Sequence, residues 1–305
     1  MPDLLSLREL SGPELDALLR KALDIKRDPA AYRDALAGKG LLLLMQKTST
    51  RTTLAFTAGI EQMGGYAVRL AWEESNFSIS PLPLEARYVS TTMDAVMARL
   101  KRFEDVDELA RHTTIPVVNG CCNRYHPSQT VADLLTVLEV AGRFEGQRIT
   151  YVGVHNNVTN SLLAGCTRLG IRVNLVTPIV NADSEDKELL AEAEATGLVH
   201  RYDDLAAALE HTDFVYTDTW IDMENYSDPA YAEERDRRIA LMTPFQLNAQ
   251  TLAGSDARVM HDMPIHPGFE ISAELVDDPR AVIFQQAENR LYAAKAILHE
   301  LMTAA

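Results

Sequence analysis

Apolar positions along the chain alternate between helical spacing and short unbroken runs. Leu15, Leu18, Leu19 and Ala22 recur at helical spacing behind Ser11-Gly12-Pro13-Glu14, a capping box in which Ser and Glu satisfy the first free N–H groups while Leu10 and Leu15 clasp the turn. This predicts a first helix. Leu41-Leu42-Leu43-Leu44-Met45 is a continuous apolar run, the pattern of a strand covered on both faces. The polar stretch Gln46 to Thr53 then leads to Phe56, Ile60 and Met63, one face of a helix ending at Gly64-Gly65.

The rhythm continues with a strand at Tyr66 to Ala71, a Ser/Pro-containing loop from Glu73 to Pro83, a helical stretch from there to about Phe103, and a strand at Ile115 to Asn119. A helix from about Ser128 to Ala141 ends near Gly142. A second series opens with a strand at Ile149 to Val154, a helix to Gly170 and a strand at Ile171 to Thr177, with further strands at Phe214 to Thr217 and Arg258 to His261. Such alternation predicts an α/β protein of two doubly wound parallel-sheet domains with a crevice between them. The expected partition is 1–142 and 143–286. The last helix, about Ala287 to Met302 with Leu291, Ala294 and Leu298 at helical spacing, would bring 287–305 back onto the first domain.

Composition narrows the function classes. The 305 residues carry 29 Lys+Arg against 44 Asp+Glu, a formal charge of −15. A surface of that sign repels phosphate backbones, so nucleic acid is not an expected partner. No run is long and apolar enough for a membrane span, Asp3, Arg8 and Glu9 interrupt any signal-like stretch, and three cysteines are too few for a disulfide scaffold. A reducing cytoplasm is the expected location.

Two segments carry candidate chemistry. Ser49-Thr50-Arg51-Thr52 lies between a buried strand and a helix start, where free N–H groups and the helix dipole favour an anion. Hydroxyls and a guanidinium there would cradle a phosphate, each charge-assisted bond contributing about 1.5–3 kcal/mol. Ordinary N-capping is the competing reading. His126-Pro127-Ser128-Gln129 follows a strand and a short loop, with Ser128 a possible cap; the histidine can donate to a carbonyl oxygen or simply bind backbone. His261, Asp262 and His266 put nitrogen and oxygen donors in one loop, but loop spacing does not make them converge, and no metal is expected. Gly153-Val154-His155-Asn156-Asn157 lacks the glycines a dinucleotide needs, so no cofactor is expected either.

Taken in order, these segments resemble the aspartate/ornithine carbamoyltransferase family. The resemblance rests on Ser49-Thr50-Arg51-Thr52, Arg99 after Met93-Asp94-Ala95-Val96, His126-Pro127-Ser128-Gln129 and Asp133-Leu134-Leu135-Thr136. It continues through Val152 to Ser161, Thr217-Asp218-Thr219-Trp220, Met260-His261-Asp262-Met263-Pro264 and Glu288-Asn289-Arg290. It implies carbamoyl transfer from carbamoyl phosphate to a primary amine. Ser49, Thr50, Arg51 and Thr52 would hold the phosphate, and Arg99, His126 and Gln129 the carbamoyl end, with Asp262, Met263 and Arg290 also in the donor site. The catalytic set would be Arg51, Arg99, His126 and Gln129, and the acceptor site Asn157, Asp218, Asp222 and Met223. A homotrimer is implied; the Glu73 to Pro83 loop lacks the family's usual Ser-Gln-containing motif, and Ser75 or Asn76 are the nearest candidates there for a contribution to a neighbouring subunit.

Within the family the ornithine branch fits better than the aspartate branch, whose loop lysine is missing between Glu73 and Pro83 and whose basic stretch is replaced by Ile221-Asp222-Met223-Glu224. Two departures from the ornithine pattern remain. Asp222 stands where a Ser-Met-Gly run usually begins, and Asp262 where the family usually has cysteine in His-Cys-Leu-Pro. Both add negative charge, and next to a substrate carboxylate Asp222 would repel, so the expected acceptor is ornithine-like or otherwise cationic and either lacks ornithine's free carboxylate or carries extra positive charge, with Asp262 recognising a cationic group. A non-catalytic carbamoyl phosphate-binding or regulatory homologue is the alternative, and Arg99 paired with Glu104 on the surface is the competing reading of that arginine.

Overall fold

The structure, a computed structural model, describes residues 3–222 and 225–303. Helix α1 (Gly12–Arg27) is capped as its sequence predicts: the Ser11 hydroxyl accepts from Glu14 N–H, and the Glu14 carboxylate accepts from Ser11 N–H at 2.8 Å. Its buried face is Leu15, Leu18, Leu19, Ala22 and Ile25. There follow β1 (Gly40–Met45), α2 (Arg51–Glu61), β2 (Tyr66–Ala71), α3 (Leu82–Val89), β3 (Ala95–Arg99), α4 (Phe103–His112), β4 (Val117–Asn119) and α5 (Pro127–Ala141). The strands form a parallel sheet in the order β2-β1-β3-β4.

The expected helix running to Phe103 is corrected here. Ala95–Arg99 is a fully buried strand between β1 and β4. Ala-Val-Met-Ala has neither alternation nor a helical stripe, because a central strand of a covered parallel sheet is apolar on both faces. Ser128 is not the cap of α5 either: His126 holds the cap position and Ser128 is buried in the first turn. At the other end Gly142, at φ 72°, closes α5 in the left-handed conformation that favours glycine.

The second series is β5 (Arg148–His155), α6 (Asn157–Arg168), β6 (Arg172–Val180), α7 (Lys187–Ala195), β7 (Val199–Arg201), α8 (Leu205–Leu209), β8 (Phe214–Thr217), α9 (Ala232–Met242), β9 (Arg258–His261), α10 (Ala273–Val276) and α11 (Ile283–Thr303). Its sheet is parallel with the order β7-β6-β5-β8-β9. Helix α11 begins at Ile283, ahead of the expected Ala287, and packs against α5, α2 and α1. Lys26 ties that contact together, reaching Glu139 at 2.9 Å and the Asn289 side-chain oxygen at 2.7 Å. One continuous apolar cluster runs from α1, β1 and β3 through α5 and α6 into β5.

In both sheets the strand order reverses beside the first strand: β2 and β3 flank β1, and β6 and β8 flank β5. Loops leaving the carboxyl ends of strands at such a switch point diverge and leave a crevice.

Candidate active site

The crevice holds a cavity of about 280 Å³, small for a ligand site and suited to small polar molecules. Nearly all its walls are strand ends and the turns that follow them. Lys47 to Thr52 follow β1, Arg99 is the last residue of β3, Cys121 and His126 follow β4, Asn156 and Asn157 follow β5, Asp218 follows β8 and Asp262 follows β9. Arg290 arrives from α11.

On the side of the first sheet, α2 starts at Arg51 and directs its unpaired N–H groups at the cavity. One such group is used internally, Thr52 N–H donating to Ser49 Oγ at 3.2 Å. Arg290 is 7% exposed and fixed on three sides: one amino group donates to Thr52 Oγ1 at 2.9 Å, the other to Gln129 Oε1 in a very short bond and to Asp262 O at 3.4 Å. Arg99 is 6% exposed and its Nε has no partner among the described residues; the same holds for Nδ1 of His126, 4% exposed. The backbone N–H of His126 donates to Ser161 Oγ of α6 at 2.8 Å, which pins this loop to the second half. Glu104 pairs with Arg102 and Arg124, not with Arg99.

Four cations bias this end. Burial, then Arg290, Arg99, Arg51 and Lys47, hold the His126 imidazole well below its usual range, so it is neutral at pH 7. Burial pulls the Arg290 guanidinium down to about 10, opposed by Asp262, and it stays charged. Burial likewise lowers Arg51.

The opposite wall is acidic. Asp218 accepts from Asn156 Nδ2 at 2.8 Å and from Thr219 N–H at 2.7 Å. Its carboxyl also hydrogen-bonds that of Asp262, and burial followed by the Asp262 charge drives it well above the usual carboxylate range. Burial raises Asp262 as well, and since two buried like charges cannot both be sustained, the pair shares a proton that sits more firmly on Asp218. Asp222 accepts from Asn181 Nδ2 at 3.1 Å and lies 4.0 Å from Arg238.

Asp262 owes its place to the turn after β9. Met263, at φ 64°, donates its N–H to His261 Nδ1 at 2.8 Å, and His261 Nε2 lies 3.1 Å from Glu270. Ligand atoms of Asp218, His261 and Asp262 fall within 4.8 Å of one another, yet both nitrogens of His261 are already engaged. His266 turns elsewhere, its Nδ1 against Thr219 Oγ1 and its ring stacked on Tyr226.

Of the residues singled out in the sequence, Ser49, Thr50, Arg51, Thr52, Arg99, His126, Asn157, Asp218, Asp222, Asp262, Met263 and Arg290 all line this cavity. Gln129 does not: it stands one layer back, its oxygen on Arg290 and its Nε2 donating to Asp133 at 2.8 Å. The Asn157 amide is committed to Cys122 O at 2.7 Å and Cys121 Sγ at 3.2 Å. Met223 lies outside the described residues. Lys47, Thr48, Cys121, Asn156, Val158, Thr219 and Pro264 also line the cavity and were not singled out; adjacency to Ser49, Asn157, Asp218 and Met263 was the available signal for all except Cys121.

Known proteins place this geometry. The carbamoyl-P binding domain model of aspartate/ornithine carbamoyltransferases matches residues 2–139, and the Asp/Orn binding domain model of the same family matches 145–301. Ornithine carbamoyltransferase of Bacillus subtilis (strain 168) is 34% identical, with 98% of this chain and 93% of that protein covered; that of Methanobrevibacter smithii is 37% identical, covering 99% and 100%. Among solved structures, ornithine carbamoyltransferase from Pyrococcus furiosus superposes with a TM-score of 0.91 at 32% identity over 99% of this chain and 97% of that one. The Thermus thermophilus enzyme gives 0.88 at 34% identity over 99% of each chain. With both family models matched across nearly its whole length, the chain belongs to the aspartate/ornithine carbamoyltransferase family and is a transferase.

Proposed function

We propose that this enzyme transfers the carbamoyl group of carbamoyl phosphate to the primary amine of an ornithine-like or other cationic acceptor, releasing phosphate. The observation that carries the reading is the convergence of Arg51, Arg99, His126 and Arg290 on one cavity, with Arg99 Nε and His126 Nδ1 buried and unpartnered. Leaving such groups unsatisfied costs about 1–3 kcal/mol each, a cost that a bound carbonyl and phosphate would relieve.

In this reading the amino end of α2, Ser49, Thr50, Thr52 and Arg51 hold the phosphate, and Arg99 and His126 aim at the carbonyl oxygen. As the amine attacks, that oxygen becomes an oxyanion, and preorganised donors in a dry cavity stabilise it more than they stabilise the substrate. Arg290, held by Gln129 and Thr52, offsets the charge of the departing phosphate. An alkylammonium of pKa about 10.4 must lose a proton before attack, a cost of about 4.6 kcal/mol at pH 7. The N–C bond forms, the C–O bond to phosphate breaks, and the second proton on nitrogen leaves with the phosphate.

A homotrimer in the cytoplasm belongs to the same proposal. Leu54, Tyr66, Ile79, Leu84 and Tyr88 are large exposed apolar residues within one stretch of the first half, around the edge strand β2. An unpaired edge with apolar neighbours favours burial against another copy. Asn76 is exposed in the adjoining loop, from which it would reach a neighbour's site. Light scattering on the eluted protein that gives a monomer would remove this part.

Incubation with carbamoyl phosphate and a panel of amines, followed by mass detection of a product heavier by about 43 units, tests the chemistry. Donor binding without product from any amine would favour the non-catalytic alternative.

A further inference from the structure

Charge is divided across the cavity with unusual strictness. All its cations, Lys47, Arg51, Arg99 and Arg290, come from the first half or α11. The wall built from β5, β8 and β9 offers Asn156, Asn157, Val158, Asp218, Thr219, Asp222, Asp262, Met263 and Pro264, with three carboxyl groups and no Lys, Arg or His.

An amino-acid acceptor needs a donor for its carboxylate, and that wall has little to offer. The Asn157 amide is spent on the Cys121-Cys122 loop and the Asn156 amide on Asp218. Arg238, behind the wall, donates to Glu234 at 3.0 Å and to Trp220 O at 3.5 Å and lies 4.0 Å from Asp222, and it does not line the cavity. Once a phosphate dianion occupies Arg51 and Arg290 and the carbonyl oxygen occupies Arg99, the lining cation left is Lys47, which stands on the donor side after β1 and not on this wall. A carboxylate would instead face Asp222 and Asp262, whose Oδ1 is buried without a partner, and like charges at that range repel. That a ligand belongs here at all is marked independently by the buried, unpartnered Arg99 Nε and His126 Nδ1 opposite.

We propose that the acceptor is an alkyl amine carrying a second cationic group and no free carboxylate, a diamine or guanidinoalkylamine, recognised by Asp218, Asp222 and Asp262. This rests on the carbamoyl-transfer reading and narrows its substrate class. The second cation balances the residual negative charge of the wall, while the primary amine faces the carbamoyl carbon.

The test compares 1,4-diaminobutane, L-ornithine and L-ornithinamide at saturating carbamoyl phosphate, the three sharing a carbon spacing and differing in the carboxylate. The diamine and the amide should exceed ornithine in kcat/KM by about tenfold or more, and Asp222→Ser should narrow the gap by raising ornithine. Ornithine equal to or better than the diamine overturns the inference. A second measurement, calorimetric binding of each amine to protein saturated with the non-transferable analogue phosphonoacetamide, separates the two readings. Tighter binding of the diamine with no product from any amine supports the acceptor class and defeats the transfer reading; equal, reversed or undetectable binding of the diamine overturns the acceptor class.

Discussion

Replacing Gln129 by alanine isolates a residue that acts through another. Gln129 is buried between two ionisable groups, accepting from Arg290 and donating to Asp133 Oδ1 at 2.8 Å. Truncation removes one bond from each. Arg290 keeps Thr52 at 2.9 Å, and Asp133 keeps Gln286 at 2.6 Å and Tyr216 at 3.1 Å, so neither is stripped bare. At about 1–3 kcal/mol for each of the two buried groups left short of a partner, the variant should lose about 2–6 kcal/mol of stability. Arg290, freed on one side, should bind carbamoyl phosphate about tenfold to a hundredfold more weakly. Urea unfolding followed by Trp72 and Trp220 fluorescence reads the first number, and calorimetry with carbamoyl phosphate the second, with Arg290→Gln for comparison. If Gln129→Ala leaves the urea midpoint unchanged yet abolishes donor binding as fully as Arg290→Gln, Gln129 touches the ligand directly and the bridging argument fails.

Removing the His126 donor by alanine should cost about 10²–10³ in rate, and because the imidazole is already neutral, log kcat/KM in the native enzyme should climb with pH toward the amine pKa without a histidine inflection between about pH 6 and 8; an inflection that disappears in the variant would contradict this. Burial pushes Asp133 up to about 7, so the folded chain retains a proton the unfolded chain has released. Its contribution to stability therefore falls as pH rises from about 4 to about 7 and is level above, on the order of 4 kcal/mol at most. Asp133→Asn should gain on the native protein across that window in urea titrations, and a constant difference would refute the assignment. Cys122, pushed up to about 11 by burial, and Cys166, raised further, should resist iodoacetamide at mildly alkaline pH until the protein unfolds; peptide mass mapping of rapid native labelling at either would count against it.

Legibility followed the range of the signals. The cap at Ser11 and the runs at Leu41 and Ile149 depend on neighbours a few residues away, and they were read correctly. Ala95–Arg99 carries a helical expectation in the sequence because its four apolar residues before Arg99 have no period to betray a strand. Segments holding β7, α7, α8 and α9 went unread: β7 is three residues with one buried, and α9 is a largely polar surface helix. Gln129 was flagged beside His126, but nothing within its turn shows that its partner is Arg290, 161 positions away.

By itself the sequence determined the α/β alternation, the acidic balance, the ordered series of segments that marks the family, and the two extra acids at 222 and 262, because composition, capping and apolar periodicity are local properties. Only the tertiary structure decided that Arg51, Arg99, His126 and Arg290 meet, that Gln129 stands behind them, and that Asp218 and Asp262 share a proton. Those outcomes depend on strand order and on burial, and both arise from contacts between residues far apart along the chain.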